Sequence, residues 1–199
     1  MSPARGRSVR ERRRRRLAIA VVATVAAIVA GVLLARGTID KAIQELTLPL
    51  RHEDVIRQQS REKGVDAALI AAVIYSESKF SDSTSSAGAR GLMQITPAAA
   101  NEIERLSGGT TFNLRDLSDP EINIRYGTFL LRELIGRYEG DVAAALAAYN
   151  AGPGNADEWG GSALRVEEIP FPETRAYVEE VLDKQRDYRE EYAKELGYR

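Results

Sequence analysis

Residues 66–80 read DAALIAAVIYSESKF, and this stretch decides the fold. Asp66 is a helix N-cap residue, and its carboxylate can accept a hydrogen bond from an unpaired backbone N–H of the first turn. Leu69, Ile70, Val73, Ile74 and Glu77 then recur at spacings of three and four, which puts all five on one face of a helix. The spacing predicts a helix from Ala67 to about Ser78 with an apolar face that ends in a carboxylate. A carboxylate on a buried face is unusual.

Working outward, the same helical signals repeat. Before the stretch, Arg51–Lys63 reads as a charged helix stopped by Gly64, a residue suited to the left-handed C′ position. After it, residues 79–91 are rich in Ser and Gly and read as a loop. Thr96-Pro97 and Asp119-Pro120 each pair an N-cap with a proline at the first helical position, predicting helices over about 97–106 and 120–138. In the second of these, Ile124, Gly127, Leu131, Leu134 and Tyr138 share a face. Gly140 ends it, and Asp141 caps a helix from Val142 to about Ala151. A Gly-Pro-Gly break follows, and a charged helix runs from about Glu173 to Leu196. No alternating run is long enough for a sizeable sheet. The expected class is all-α, with room for a small β element near Gly91–Ile95.

The N-terminus is different in kind. Leu17–Ala35 is 19 residues without a charge, about 28 Å as a helix and close to the ~30 Å hydrocarbon core of a bilayer. Arg12 to Arg16 stand directly before it, with Arg5, Arg7 and Arg10 further out, and only Arg36 and Lys41 follow closely. The positive-inside rule predicts a single-pass anchor with residues 1–16 in the cytoplasm and everything beyond Ala35 outside. Residues 36–50 read as a connector and 51–199 as the exported domain. A cleavable signal peptide is the rival, but the apolar run is long for one. Its nearest cleavage site, Leu33-Leu34-Ala35, also has a bulky residue where a small one is preferred.

Charge is segregated in the same way. Residues 1–36 carry nine Arg and one Glu; removing these from totals of 28 basic and 29 acidic residues leaves a net of −9 for residues 37–199. An acidic domain argues against nucleic acid as partner. There is no cysteine, which excludes disulfides, thiolate chemistry and lipidation on a cysteine. His52 is the single histidine, with no motif around it, so it reads as a surface or linker residue, and no metal site is expected.

Three segments are candidates for chemistry. Glu77 lies in the last turn of its helix, where the helix dipole opposes ionisation, and partial burial pushes the same way. A carboxyl kept protonated near neutral pH suits a general acid for glycosidic cleavage. Taken alone, Glu77 reads more readily as a rim residue or a helix-end ion pair. Gly88-Ala89-Arg90-Gly91-Leu92-Met93-Gln94 permits close backbone approach to a ligand, with Gln94 able to bind acetamido groups; alone it is as readily a turn. Ala148-Tyr149-Asn150-Ala151-Gly152-Pro153-Gly154 sets a phenol and an amide at a helix end, where Tyr149 by itself reads as core.

In this order and spacing, together with Glu77-Ser78-Lys79-Phe80, Asn123-Ile124, Gly127, Trp159 and Glu173-Thr174-Arg175-Ala176-Tyr177-Val178, these segments resemble the lytic transglycosylases of the soluble (SLT) type. That family is close in fold to goose-type lysozyme. The likeness covers roughly Ile56 to Leu182. Asp82, Thr84 and Thr96 depart from the family's commoner residues. The resemblance implies a lysozyme-like helical domain acting on peptidoglycan glycan strands without a cofactor. Glu77 would be the catalytic acid and base, and the product would carry a 1,6-anhydro end. Tyr149 would support Glu77; Ser78, Gln94, Thr96 and Asn150 would line the groove. Glu173, Arg175 and Tyr177 would supply a later binding segment, with a surface ion pair as the alternative for the first two. A goose-type hydrolase would instead need a second carboxylate, for which Asp82 is the nearest candidate in sequence. A non-catalytic glycan-binding scaffold and a place in cell-wall or secretion machinery also stay open.

Overall fold

The computed structural model describes residues 5–108 and 113–198, and among these it is helical, with no strand longer than a single bridge. The chain divides into two compact units, Met1–Thr47 and Leu48–Arg199.

The first unit is one helix, α1 (Arg5–Thr47), of 43 residues. At 1.5 Å per residue it is about 65 Å long, roughly twice the hydrocarbon thickness. Leu17, Val21, Val25, Ile28 and Val32 are each more than half exposed, so these apolar side chains are not part of a core within this unit. The expected connector at 36–50 is therefore mostly a continuation of this helix, which stops only at Thr47.

The second unit is built from α2 (Glu53–Lys63), α3 (Ala67–Ser78), α4 (Pro97–Ser107), α5 (Pro120–Arg137), α6 (Val142–Ala151), α7 (Pro153–Glu158) and α8 (Pro172–Glu191). The caps act as the sequence predicts. Asp66 accepts the Leu69 N–H at 3.0 Å, Thr96 that of Ala99 at 3.1 Å, and Asp141 that of Ala144 at 2.8 Å. Gly64 takes the left-handed conformation and its N–H closes on the Ser60 carbonyl.

One expectation is corrected. α3 buries every residue from Ala67 to Ile74 rather than a single face. Its alanines are the reason: Ala67, Ala68, Ala71 and Ala72 are small enough for neighbours to close in on all sides. An all-apolar helix of this kind belongs at the centre of a domain. α8 lies along it, and α6, buried from Ala144 to Ala148, packs against α5, α7 and α8.

Two further boundaries differ from the sequence reading. The Gly-Pro-Gly break is followed at once by α7, because Pro153 is well placed as a first helical residue. α8 ends at Glu191 rather than Leu196, and the chain then turns back so that Tyr198 reaches α3. The Tyr198 hydroxyl donates to the Asp66 carboxylate at 2.7 Å and accepts the Ala68 N–H at 2.9 Å, acting as a second cap on the central helix. Burial alone would raise the Asp66 pKa. Its bonds from Tyr198, Gln185, Arg189 and the Leu69 N–H outweigh that and hold it below the usual aspartate value. At the same C-terminal end of α8, Tyr188 and Tyr192 donate to the carbonyls of Pro49 and Leu48 and fix the first residues of the unit.

The small β element appears as two antiparallel bridges on Arg90, one to Thr84 and one to Ile95.

Candidate active site

Four elements converge on Glu77: the last turn of α3, α6, α8 and the strip 90–95. Burial lifts its carboxyl from the ordinary 4.5 to about 7, against a smaller downward pull from the Tyr177 phenol. That phenol is buried and makes no hydrogen bond of normal geometry, so its influence is that of a nearby dipole rather than of a formed bond. Tyr149 comes from α6, and its hydroxyl donates to the Met93 carbonyl at 2.9 Å. Burial and then the charge of Glu77 push both phenols well above their usual pKa. The cluster is thus a carboxyl poised to exchange a proton near neutrality, beside two phenols that hold theirs.

The backbone around Glu77 is under strain. Lys79 and Phe80, directly after α3, and Gln94 in the strip all have positive φ, at 50°, 60° and 46°. None is glycine, and such conformations persist only where the surroundings over-determine them. Phe80 is held by burial and by its ring against Tyr188, with centroids 6.1 Å apart.

The remaining predicted residues fall into two groups. Ser78, Gln94 and Arg175 brace the site from within. The Ser78 hydroxyl reaches the Leu92 carbonyl at 2.7 Å and ties α3 to the strip. The Gln94 amide donates to the carbonyls of Ser83 at 3.0 Å and Gly91 at 2.8 Å, fastening the 79–91 loop. Arg175 directs its guanidinium to the Ile169 carbonyl at 2.6 and 3.1 Å. Thr96, Tyr149 and Asn150, by contrast, line a cavity of about 440 Å³ together with Ala99 and Leu134. Glu77 is not in that lining; Tyr149 borders both the cavity and the carboxyl. Asn150 accepts a hydrogen bond from Thr174 of α8 at 2.8 Å. Glu173 is exposed in the first turn of α8, and Asp82 is exposed in the loop.

Asn123, which the sequence offers only as part of the family resemblance, braces the strip from α5. It is fully buried in the first turn of α5. Its carbonyl oxygen accepts the Met93 N–H at 2.8 Å, and its amide donates to Arg90 and Leu117 carbonyls, both at 2.9 Å. Asn123 thus makes three of the hydrogen bonds around the strip, beside those of Ser78 and Tyr149. Two glycines let the strip approach. A Cβ on Gly91 would stand 2.2 Å from the Asn123 amide nitrogen, and one on Gly127 would stand 2.4 Å from the Met93 sulfur. A polar residue just inside an apolar helix, beside a glycine on the same face, was the available signal.

The profile of the Transglycosylase SLT domain matches residues 54–171. The chain is 36% identical over 159 residues to a soluble lytic murein transglycosylase of Salmonella typhimurium, covering 73% of this chain and 24% of that protein. It is 30% identical over 169 residues to a membrane-bound lytic murein transglycosylase C of Edwardsiella ictaluri, covering 70% and 46%. Its fold is similar to that of the lytic transglycosylase Slt of Pseudomonas aeruginosa, solved as an inactive glutamate-to-glutamine mutant. The TM-score is 0.70 at 32% identity, over 75% of this chain and 26% of that one. The chain thus spans about a quarter of the length of the soluble relatives it matches.

Proposed function

Since this chain belongs to the Transglycosylase SLT domain family, we propose that it cleaves the β-1,4 bond between N-acetylmuramic acid and N-acetylglucosamine in peptidoglycan, with Glu77 as sole acid and base. The observation that carries this reading is the buried Glu77 carboxyl, with a pKa of about 7, between two phenols that stay protonated. Glu77 donates its proton to the glycosidic oxygen as the bond to the muramoyl C1 breaks. The substrate's acetamido oxygen takes up the positive charge at C1. The carboxylate then removes the proton from the muramoyl 6-hydroxyl, whose oxygen closes on C1 and releases the acetamido group. Glu77 ends protonated and no water is consumed. Tyr149 and Tyr177 wall the carboxyl with buried, protonated phenols, and Thr96, Asn150 and the exposed Glu173 contact the strand, with Ser78, Gln94 and Arg175 behind them.

The resting acid must be protonated. Its pKa lies above the ordinary glutamate value, so activity is present below pH 7 and falls about tenfold per pH unit above it. Digestion of purified sacculi across pH 5–9, with mass spectrometry of the products, tests both parts. A rate that stays flat to pH 9 would remove Glu77 from the acid role. Reducing ends in place of anhydro ends would make the enzyme a hydrolase.

The setting follows from α1, which holds a stretch long and apolar enough to cross a bilayer. Residues 17–35 serve as a single-pass anchor, 1–16 stay in the cytoplasm, 36–50 connect, and 51–199 form the catalytic domain outside. The Arg run before the uncharged stretch supports this orientation. Protease added to intact spheroplasts is expected to digest residues beyond Thr47. Protection of that domain until the membrane is opened would reverse the topology.

A further inference from the structure

Outside α1, three large apolar side chains are exposed among the described residues: Leu106, Leu114 and Phe171. Phe171 is the most exposed, at 42%, and the one aromatic. It is not loose. Its ring meets that of Trp159 edge to face, with centroids 4.9 Å apart and an interplanar angle of 70°. Its carbonyl accepts the Arg175 N–H at 3.0 Å, and the Arg175 guanidinium holds the carbonyl of Ile169, two residues before it. The pair is thus a rigid aromatic surface left open to solvent.

Its position is equally specific. Phe171 is the N-cap of α8, one turn from Thr174, whose hydroxyl is bonded to Asn150 on the cavity wall. Trp159 ends α7, whose first residue, Pro153, lines the same cavity. Two elements that border the Asn150–Pro153 edge of the cavity therefore each contribute one ring.

We propose that Trp159 and Phe171 form a shelf that binds one N-acetylhexosamine ring of a β-1,4-linked strand, beyond the Asn150 edge of the groove. The apolar face of a pyranose carries several C–H groups of slight positive charge. The face of an aromatic ring is slightly negative and attracts them, as it attracts cations more strongly. Because both rings are already fixed, little side-chain freedom is lost on binding. The shelf rests on the proposed glycan substrate but takes no part in bond cleavage.

Trp159 is the only tryptophan in the sequence, so its fluorescence reports on the shelf alone. The full chain, in a detergent without a sugar headgroup, is titrated with a β-1,4-linked N-acetylglucosamine hexamer. A saturable change in emission is expected. Phe171→Ala should weaken hexamer binding about tenfold, the effect of one aromatic contact. Phe171→Leu, which keeps apolar bulk and the fold but has no ring, should weaken it similarly, and Phe171→Tyr should retain it. An emission that does not respond to the hexamer, or wild-type affinity in the Leu variant, overturns the shelf. Failure of the anhydro-product assay would strike at the reaction and leave this binding result standing.

Discussion

Glu77→Gln is expected to abolish release of 1,6-anhydromuropeptides from sacculi while the protein stays folded. Glutamine keeps the shape of the side chain but has no proton to give the leaving oxygen. General acid catalysis is worth about 10²- to 10⁴-fold, and the same group serves later as base, so the loss should be at least that large. Tyr149→Phe should lose less, because it removes a hydroxyl bonded to the Met93 carbonyl and leaves the carboxyl in place. The substitution at Glu77 should also stabilise the fold in one pH range. Between the unfolded value of 4.5 and the folded value of about 7, the native protein binds the extra proton, so wild-type stability declines as pH rises through this window. Glutamine has no such decline. Its advantage should be full above pH 7, on the order of 3 kcal/mol, and absent below pH 4.5. Product release is followed by mass spectrometry and stability by thermal melts at several pH values. Near-wild-type product release by the folded variant would end the mechanism.

The second large effect is structural. Gly91→Ala should destabilise the domain by at least about 3 kcal/mol, whereas Gly64→Ala should cost about 1 kcal/mol. The two glycines have nearly the same left-handed φ, 70° and 67°, so an added Cβ strains both backbones alike. Their surroundings differ. At Gly64 the Cβ would meet open space; at Gly91 it would stand 2.2 Å from the Asn123 amide and 2.4 Å from the Leu117 carbonyl. Relief requires Asn123 to move, and with it the bonds to Met93, Arg90 and Leu117. For a domain of this size about 3 kcal/mol corresponds to a fall in Tm of roughly 6–12 °C. Thermal unfolding of both variants, followed by near-ultraviolet circular dichroism, measures the gap. Equal shifts would mean that close approach at Gly91 is unimportant.

Much of the fold was legible because its signals are local. A cap followed by a proline, or a glycine after a charged turn, acts within one turn of helix, and those boundaries lie within a residue or two of expectation. Glu77 stood out for a similar reason: a carboxylate in an apolar periodicity is conspicuous without any partner. What the residues alone could not give was packing on several sides. The alanines of α3 fit one buried face as well as complete burial, and only the neighbours α2 and α8 decide. The polar candidates were harder still. Ser78, Gln94 and Arg175 carry groups suited to a sugar, yet each has a backbone carbonyl of its own chain as partner. Those partners lie between 3 and 14 residues away. Asn123 is the converse case: its only local signal is a polar residue just inside α5 with Gly127 on the same face, and its partners lie 6 to 33 residues away.

The left-handed pair Lys79 and Phe80 bears on what selection for heat tolerance would do to this protein. Each non-glycine residue held there costs about 1–2 kcal/mol, so Lys79→Gly is among the simplest stabilising changes open to the chain, even after glycine's own entropy takes back part of the gain. It lies two residues from the proposed acid. A lineage driven only toward hotter conditions would relax the one turn that fixes where the carboxyl stands. Durability and turnover would therefore compete at a single codon.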